Sequence, residues 1–490
     1  MAQPSLLSLA VPTPAIKFGT DGWRGVIAAE FTFERLVQVA PIAAQVLAET
    51  YQASTDSQTI IVGYDRRFLS EEFAQATAEA VSAAGFEVLL SEDYAPTPAF
   101  SWAAKQHNAL GALVITASHN PGSYSGLKVK GAFGGSVPPA ITQQIEARLA
   151  DPAPVAATPG SISRFDPWPD YCRVLGSKVD LPQIQQAIAT GKLLVFVDVM
   201  HGAAAGGLAR ILGQPVQELN GDRDPLFGGG APEPIARYLQ TTCATIRQAA
   251  SASPAGTLTV GLVFDGDGDR IAAIDGQGNY QSAQILIPIL VDHLATRRGF
   301  QGEVIKSISS SDLIPQVAAM HGLSVYETPI GFKYTADRML ESAQVLLGGE
   351  ESGGIGFGSH IPERDGLLSG LYLLEAVAAS GQDLTTLYQS LQTQVNYASC
   401  YDRIDLPLAS LEVKNRLQTQ LETHPPQSIL GIPVLKCQTV DGFKFHLANQ
   451  SWLLIRFSGT EPLLRLYCEA LTPEEVQKTL NWANQWALTI

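Results

Sequence analysis

The period of apolar and polar positions changes along the chain, and the changes predict its elements. From Phe33 to Thr50 apolar residues recur at helical spacing, which predicts an amphipathic helix. Thr59 to Tyr64 (TIIVGY) is a short β-rich run. Ser70 to Ala84 returns to helical spacing, and Gly85 is placed to end that helix. Glu87 to Leu90 and Ala109 to Thr116 (ALGALVIT) predict two further strands. Apolar strands set between helices indicate a sheet covered on both faces. The stretch from Asp151 to Pro169 is rich in Pro, Ala and Ser and reads as a linker. A second strand–helix series runs through Leu193 to Val199 and Thr257 to Phe264. A third runs through Glu303 to Ile308, Ser324 to Thr328 and Val345 to Leu347. After about residue 395 the pattern shifts to short strands and helices that fit a smaller α+β domain. The expected class is α/β: three α/β domains over 1–168, 169–278 and 279–393, then an α+β domain over 394–490. No repeat among the three is legible in the residues themselves.

Composition narrows the functions. A chain of 490 residues is long enough for about three or four domains at roughly 100–200 residues each. Hydrophobic residues at 46% and charged residues at 16% exclude general disorder. The balance of 32 basic against 47 acidic residues leaves a formal charge of −15, which repels phosphate polymers and argues against a nucleic-acid partner. A small anionic substrate then requires locally concentrated cations. No apolar run reaches the 18 or so residues of a membrane span, and the first residues carry no basic, long-apolar leader. The five cysteines are scattered, odd in number and without a C-x-x-C pair, which suits a reducing cytoplasm.

Four loops follow apolar strands, where open α/β sheets bind ligands. Thr116-Ala117-Ser118-His119-Asn120-Pro121 offers a serine hydroxyl as nucleophile or phosphoryl carrier; the plain alternative is a turn. Adjacent side chains on extended backbone point apart, so His119 beside Ser118 is not by itself evidence of a dyad. Phe264-Asp265-Gly266-Asp267-Gly268-Asp269-Arg270 sets three carboxylates at alternate positions. They repel one another unless a divalent cation sits among them. Arg270 and Gly276 stand where an EF-hand needs Gly and a bidentate Glu, so that motif fails. Gly348-Gly349-Glu350-Glu351-Ser352-Gly353-Gly354 carries carboxylates that suit the hydroxyls of a sugar. Arg456-Phe457-Ser458-Gly459-Thr460-Glu461-Pro462, with Arg465 following, offers a phosphate cradle. Arg24 lies in the Gly-rich stretch Lys17 to Gly25, and Lys333 follows a strand in Thr328 to Tyr334. The turn Val199-Met200-His201-Gly202 is assigned no chemistry.

Six segments in order, KFGTDGWRG, TASHNP, FDGDGDR, TPIGFKY, GGEESGG and RFSGTEPLLR, resemble the α-D-phosphohexomutase superfamily, which holds phosphoglucomutases and phosphomannomutases. They run from Lys17 to Arg465 and so cover nearly the whole chain. The resemblance implies three similar α/β domains with mixed sheets and a fourth domain around a central cleft. It implies that Ser118 is the phosphoserine, and that Asp265, Asp267 and Asp269 hold Mg²⁺ together with a phosphate oxygen of Ser118. By the same match Arg24, Lys128 and Arg270 line the reacting phosphoryl group and Lys333 the sugar. Glu350 and Ser352 read the sugar hydroxyls, and Arg456, Ser458, Gly459, Thr460 and Arg465 hold the non-reacting phosphate.

The implied reaction passes a phosphoryl group from Ser118 to a hexose monophosphate, giving a 1,6-bisphosphate that reorients and returns its other phosphoryl group. Lys128 and His119 are both candidates for the base, and the sequence does not choose between them. Three positions depart from the pattern. Tyr124-Ser125-Gly126-Leu127-Lys128 replaces the commoner Y-N-G-x-K, and Glu351 and Gly354 stand where members acting on both mannose and glucose have Met and His. Glu-Glu-Ser is more like the glucose-acting members, so the expected activity is phosphoglucomutase, with glucose 1,6-bisphosphate as intermediate and activator. The alternative is a glucose-1,6-bisphosphate synthase drawing on another donor such as fructose 1,6-bisphosphate. A phosphomannomutase or phosphohexosamine mutase comes next. A metal-dependent phosphatase or a non-catalytic binding module fits the intact serine and aspartates less well. The expected partners are hexose phosphates, with no nucleic acid and no membrane, in a monomer or dimer.

Overall fold

The computed structural model describes residues 14–19, 21–458 and 462–489. Residues up to Tyr280 together with His360–Ala378 form one compact unit, and Gln281–Ser359 with the chain from Ala379 form a second.

The first unit holds two sheets. One has seven strands: Thr59–Tyr64, Glu87–Ser91 and Gly111–Ile115 run parallel at its centre, and Gly111–Ile115 turns back antiparallel into Tyr124–Gly131. Gly111–Ile115 is buried throughout, as an unalternating apolar strand between helices must be. Helices Phe33–Thr55, Ser70–Ala83 and Thr97–Gln106 cover it. Gly85 adopts φ +94°, the conformation that lets a glycine stop the second of these helices. The stretch expected to be a linker contains a strand. Ile162–Phe165 (ISRF) pairs parallel with Glu87–Ser91 at the sheet edge, where it stays largely exposed and so needs no apolar face.

In the other sheet Leu193–Asp198 and Leu258–Phe264 pair parallel, and Leu258–Phe264 pairs antiparallel with Ile271–Asp275. Helix Gly366–Ser380 brings Gly370 against Leu262 and Phe264 of that sheet. Both sheets are therefore mixed, as expected.

The second unit holds a four-stranded mixed sheet, ordered Val325–Thr328, Glu303–Ser307, Val345–Gly349, Ile355–Phe357. It also holds a six-stranded antiparallel sheet from Cys400–Pro407 to Ser428–Ile429, covered by helices Leu411–Thr423 and Pro473–Leu488. Among the described residues no helix is long and apolar enough to cross a membrane. The five cysteines are free thiols.

Candidate active site

In the first unit the strand ends bring one set of expected residues together. Ser118 follows Gly111–Ile115 and takes φ +52°, a left-handed conformation uncommon for serine. Its N–H donates to Thr116 Oγ1 at 2.9 Å. This departure from extended backbone corrects one expectation: the side chains of Ser118 and His119 meet, with Oγ 3.3 Å from Nδ1. The hydroxyl also donates to Asp265 Oδ2 at 3.0 Å.

The two loops touch because of Gly266. A Cβ there would stand 2.4 Å from the Ser118 carbonyl oxygen, so only glycine lets the aspartate loop come this close. Gly268 supplies φ +70° in the same loop. Ala203, just past the turn assigned no chemistry, donates its N–H to the Gly266 carbonyl at 2.9 Å and props the loop from behind.

Asp265, Asp267 and Asp269 are fully buried, and one oxygen of each lies within 4.8 Å of the others. Asp267 Oδ1 and Asp269 Oδ1 are buried without a hydrogen-bond partner. Orphan carboxylate oxygens of this kind are costly in a protein interior and fit a hard cation that prefers oxygen ligands. Burial, then the neighbouring Asp267 and Asp269, push the Asp265 carboxyl well above the usual carboxylate range. Burial opposes the charge on Asp267 too, but Lys128 and Arg364 outweigh it and hold that carboxyl below the usual range, so the shortfall of positive charge falls on Asp265. The donor set therefore fits Mg²⁺.

Lys128 reaches the same place from the returning strand Tyr124–Gly131, opposite Val114. Its Nζ lies 2.8 Å from carboxylate oxygens of Asp21, Asp267 and Asp269. Burial opposes its charge, but those three carboxylates outweigh it and hold the ammonium well above its ordinary pKa. His119 moves the other way: the Arg270 charge, then burial and Arg24, lower it far below the usual imidazole value. The surroundings thus favour the charged form of Lys128 and disfavour that of His119. Arg24, on a strand that pairs with Tyr124–Gly131, donates Nη1 to Asn120 Oδ1 at 2.7 Å. Arg270 Nε sits 4.0 Å from Asp269 Oδ1.

Three residues were not singled out in the sequence. Arg67 is fully buried and donates to the carbonyls of Ser118, Asn120, Pro121 and Tyr124 at 2.5–3.1 Å, while Asp65 holds its Nε. It shapes the serine loop from beneath. Arg364 bonds Asp269 Oδ2 at 2.7 Å and also bonds Asp21. Asp21, inside the first motif, collects Lys128, Lys130 and Arg364. The available signal was charge at strand ends: Tyr64-Asp65-Arg66-Arg67 follows an apolar strand, and Glu363-Arg364-Asp365 interrupts an apolar stretch.

The second unit collects the other set. Glu350 is buried, and its Oε1 accepts from the Gly331 N–H at 2.7 Å. Glu351 Oε2 accepts from Ser307 Oγ at 3.1 Å and Ser309 Oγ at 2.6 Å. Ser352 and Lys333 are half-buried, and the Lys333 ammonium stands 4.9 Å from the Tyr334 ring centre. Arg456 and Arg465 lie directly opposite on paired antiparallel strands. Like charges so placed repel, and an anion between them relieves the repulsion. Arg456 Nε donates to Asp441 Oδ1 at 3.0 Å, and Arg465 Nε is buried without a partner. Ser458 N–H donates to the Leu463 carbonyl at 2.9 Å, and Lys414 Nζ reaches the Ser458 carbonyl at 2.6 Å. Gly459 and Thr460 lie outside the described residues.

Comparison with known proteins matches four family models in order. Phosphoglucomutase/phosphomannomutase α/β/α domain I covers residues 15–154, domain II 169–278, domain III 282–395, and the C-terminal domain 412–481. The phosphoglucosamine mutase of Frankia alni is 30% identical, over 94% of this chain and 96% of its own. The phosphoglucomutase/phosphomannomutase of Thermococcus kodakarensis is 27% identical, over 94% of this chain and 96% of its own. A crystal structure from Thermus thermophilus, provisionally named a phosphomannomutase, is 32% identical and superposes with TM-score 0.82 over 97% of this chain and 99% of that one.

Proposed function

We infer the reaction from one premise: this chain belongs to the α-D-phosphohexomutase superfamily, matched in all four of its domains. It is a Mg²⁺-dependent phosphohexomutase working through Ser118, and glucose phosphate is its first substrate. The observation that carries this reading is the Ser118 hydroxyl 3.0 Å from Asp265, among three buried aspartates two of which have an orphan oxygen.

Asp265, Asp267 and Asp269 would hold Mg²⁺, which when bound supplies charge stabilisation to a transferring phosphoryl group. In the phosphorylated enzyme, Ser118 Oγ carries the phosphoryl group. A bond forms from phosphorus to a sugar hydroxyl oxygen, and the bond from phosphorus to Oγ breaks. His119, whose Nδ1 stands 3.3 Å from Oγ, is the group placed to take the hydroxyl proton and return it to Oγ, so the proton balance closes. Lys128, locked as an ammonium, serves as fixed charge, and Arg24 and Arg270 join it around the equatorial oxygens. The bisphosphate reorients, and the same steps run in reverse from its other phosphate. Glu350 and Ser352 read the sugar hydroxyls, with Lys333 on the sugar side. Arg456, Ser458, Gly459, Thr460 and Arg465 take the idle phosphate.

The Glu-Glu-Ser loop favours glucose. A second reading, glucosamine phosphate, is favoured by the name of the Frankia alni relative. Phosphorus NMR separates them: glucose 1-phosphate and glucosamine 1-phosphate are each followed with Mg²⁺ and a trace of the matching 1,6-bisphosphate. Glucose 1-phosphate should be converted with at least about tenfold higher kcat/KM. The opposite ranking overturns the glucose assignment. A third tube, with glucose phosphate and fructose 1,6-bisphosphate as donor, tests for a bisphosphate synthase. Accumulating glucose 1,6-bisphosphate with slow isomerisation would identify one.

A further inference from the structure

Asp441 lies on the turn between the strands Ile432–Gln438 and Phe443–Leu447. Its two carboxylate oxygens face two different elements. Oδ1 accepts from Arg456 Nε at 3.0 Å. Oδ2 accepts from the backbone N–H of Ile330 at 3.0 Å. The next N–H along, that of Gly331, is held by Glu350 Oε1 at 2.7 Å. Gly331 takes φ +128°, so this is a sharp, glycine-dependent bend at the start of the helix bearing Lys333. Two successive amides of one loop are thus held by two carboxylates, one from the sugar-reading loop and one from the sheet that carries the phosphate arginines.

The geometry fits a device for setting position. A carboxylate accepting from a guanidinium and from a backbone amide makes two charge-assisted bonds, stronger and more directional than neutral ones. The Arg456 bond uses Nε, so a phosphate engaging the Nη pair does not have to break it. Left without Asp441, Arg456 would face Arg465 across the strand pair and lose the acceptor that holds its Nε.

We propose that Asp441 is a positioning residue that ties Arg456 to the Ile330–Gly331 loop, so that the phosphate arm and the sugar-reading loop are set as one unit before a sugar phosphate arrives. The proposal rests on the roles given above to Arg456 and Glu350. It assigns to Asp441 no contact with the substrate.

Two substitutions separate its two arms. Asp441→Ala removes both bonds. Asp441→Asn keeps an acceptor oxygen for the Ile330 amide and loses the charge toward Arg456. Hydrogen exchange is read at the Ile330 and Gly331 amides in the ligand-free full-length protein, and KM and kcat are measured with glucose 1-phosphate. In Asp441→Ala the two amides should exchange about tenfold faster or more, because the loop has lost one of its two anchors. KM should rise about tenfold while kcat changes by less than about threefold, since ground-state binding is what is lost. In Asp441→Asn the amides should stay protected and KM should still rise. The same protection at Ile330 in Asp441→Ala as in wild type, or an unchanged KM in both variants, overturns the proposal. If Asp441→Ala does not fold, Asp441→Asn still decides the KM arm. If the wild type turns over no hexose phosphate, the proposed reaction fails, while the amide measurement judges the tie independently.

Discussion

The two groups of candidate site residues are built differently. Around Ser118 the aspartates, Lys128 and Arg67 are buried and bound to neighbours in the same unit, with the Oδ1 atoms of Asp267 and Asp269 left unpaired. Around Arg456 the cations are half-buried and two of them face each other across strands. The first arrangement fixes charge where a reaction needs it, and little reorganisation remains when a phosphoryl group arrives. The second keeps positive charge that Asp441 meets only at Arg456, and an anion would settle the rest. Under the proposed reaction, chemistry would be preorganised in one unit and recognition left ready in the other. Substitutions in the first should lower turnover, and those in the second should lower affinity.

The largest effect should come from Ser118→Ala, which removes the phosphoryl carrier. Turnover should fall by at least about 10⁴-fold with the circular dichroism spectrum unchanged. Activity at a tenth of wild type would remove Ser118 from the reaction. Asp267→Asn comes next. It takes away one charge of the cation site, so activity should fall by about 10²- to 10³-fold and its response to Mg²⁺ should flatten. A variant that stays active and Mg²⁺-dependent contradicts the site.

Glu350→Ala sharpens the contrast from the other side. Losing hydrogen bonds to the sugar should raise KM about 10- to 100-fold, while phosphoserine remains visible by intact mass. Unchanged glucose-phosphate kinetics would take Glu350 out of recognition. Arg67→Met tests the support beneath the serine loop. Removing one partner of a buried pair leaves Asp65 uncompensated and should cost about 3–5 kcal/mol of stability, read as a lower denaturant midpoint. A midpoint equal to wild type would mean the loop does not depend on Arg67. Mg²⁺ reads the same site through stability: saturating Mg²⁺ at about 100 times its Kd should add about 2.7 kcal/mol, seen as a higher Tm that Asp267→Asn lacks.

What the sequence could show follows from distance along the chain. The three aspartates stand within five residues, so their mutual repulsion is legible without a fold. The strands around Ser118 are legible because their apolar runs are continuous. Arg364 and Asp21 are 343 positions apart, and nothing local marks them as partners. Arg67 acts on backbone carbonyls, which have no residue identity to read. The edge strand Ile162–Phe165 was hidden because it buries no apolar face. The contact between Ser118 and His119 needed one dihedral angle that serine rarely adopts.

The most direct test of the central claim is label transfer. The protein is incubated with glucose 1,6-bisphosphate carrying labelled phosphate, with and without Mg²⁺, and the label is mapped by peptide mass spectrometry. The account predicts label on Ser118 alone, only with Mg²⁺, retained in Glu350→Ala at higher ligand concentration and absent in Asp267→Asn. Label on another residue, or on Ser118 without any need for Mg²⁺, would contradict it.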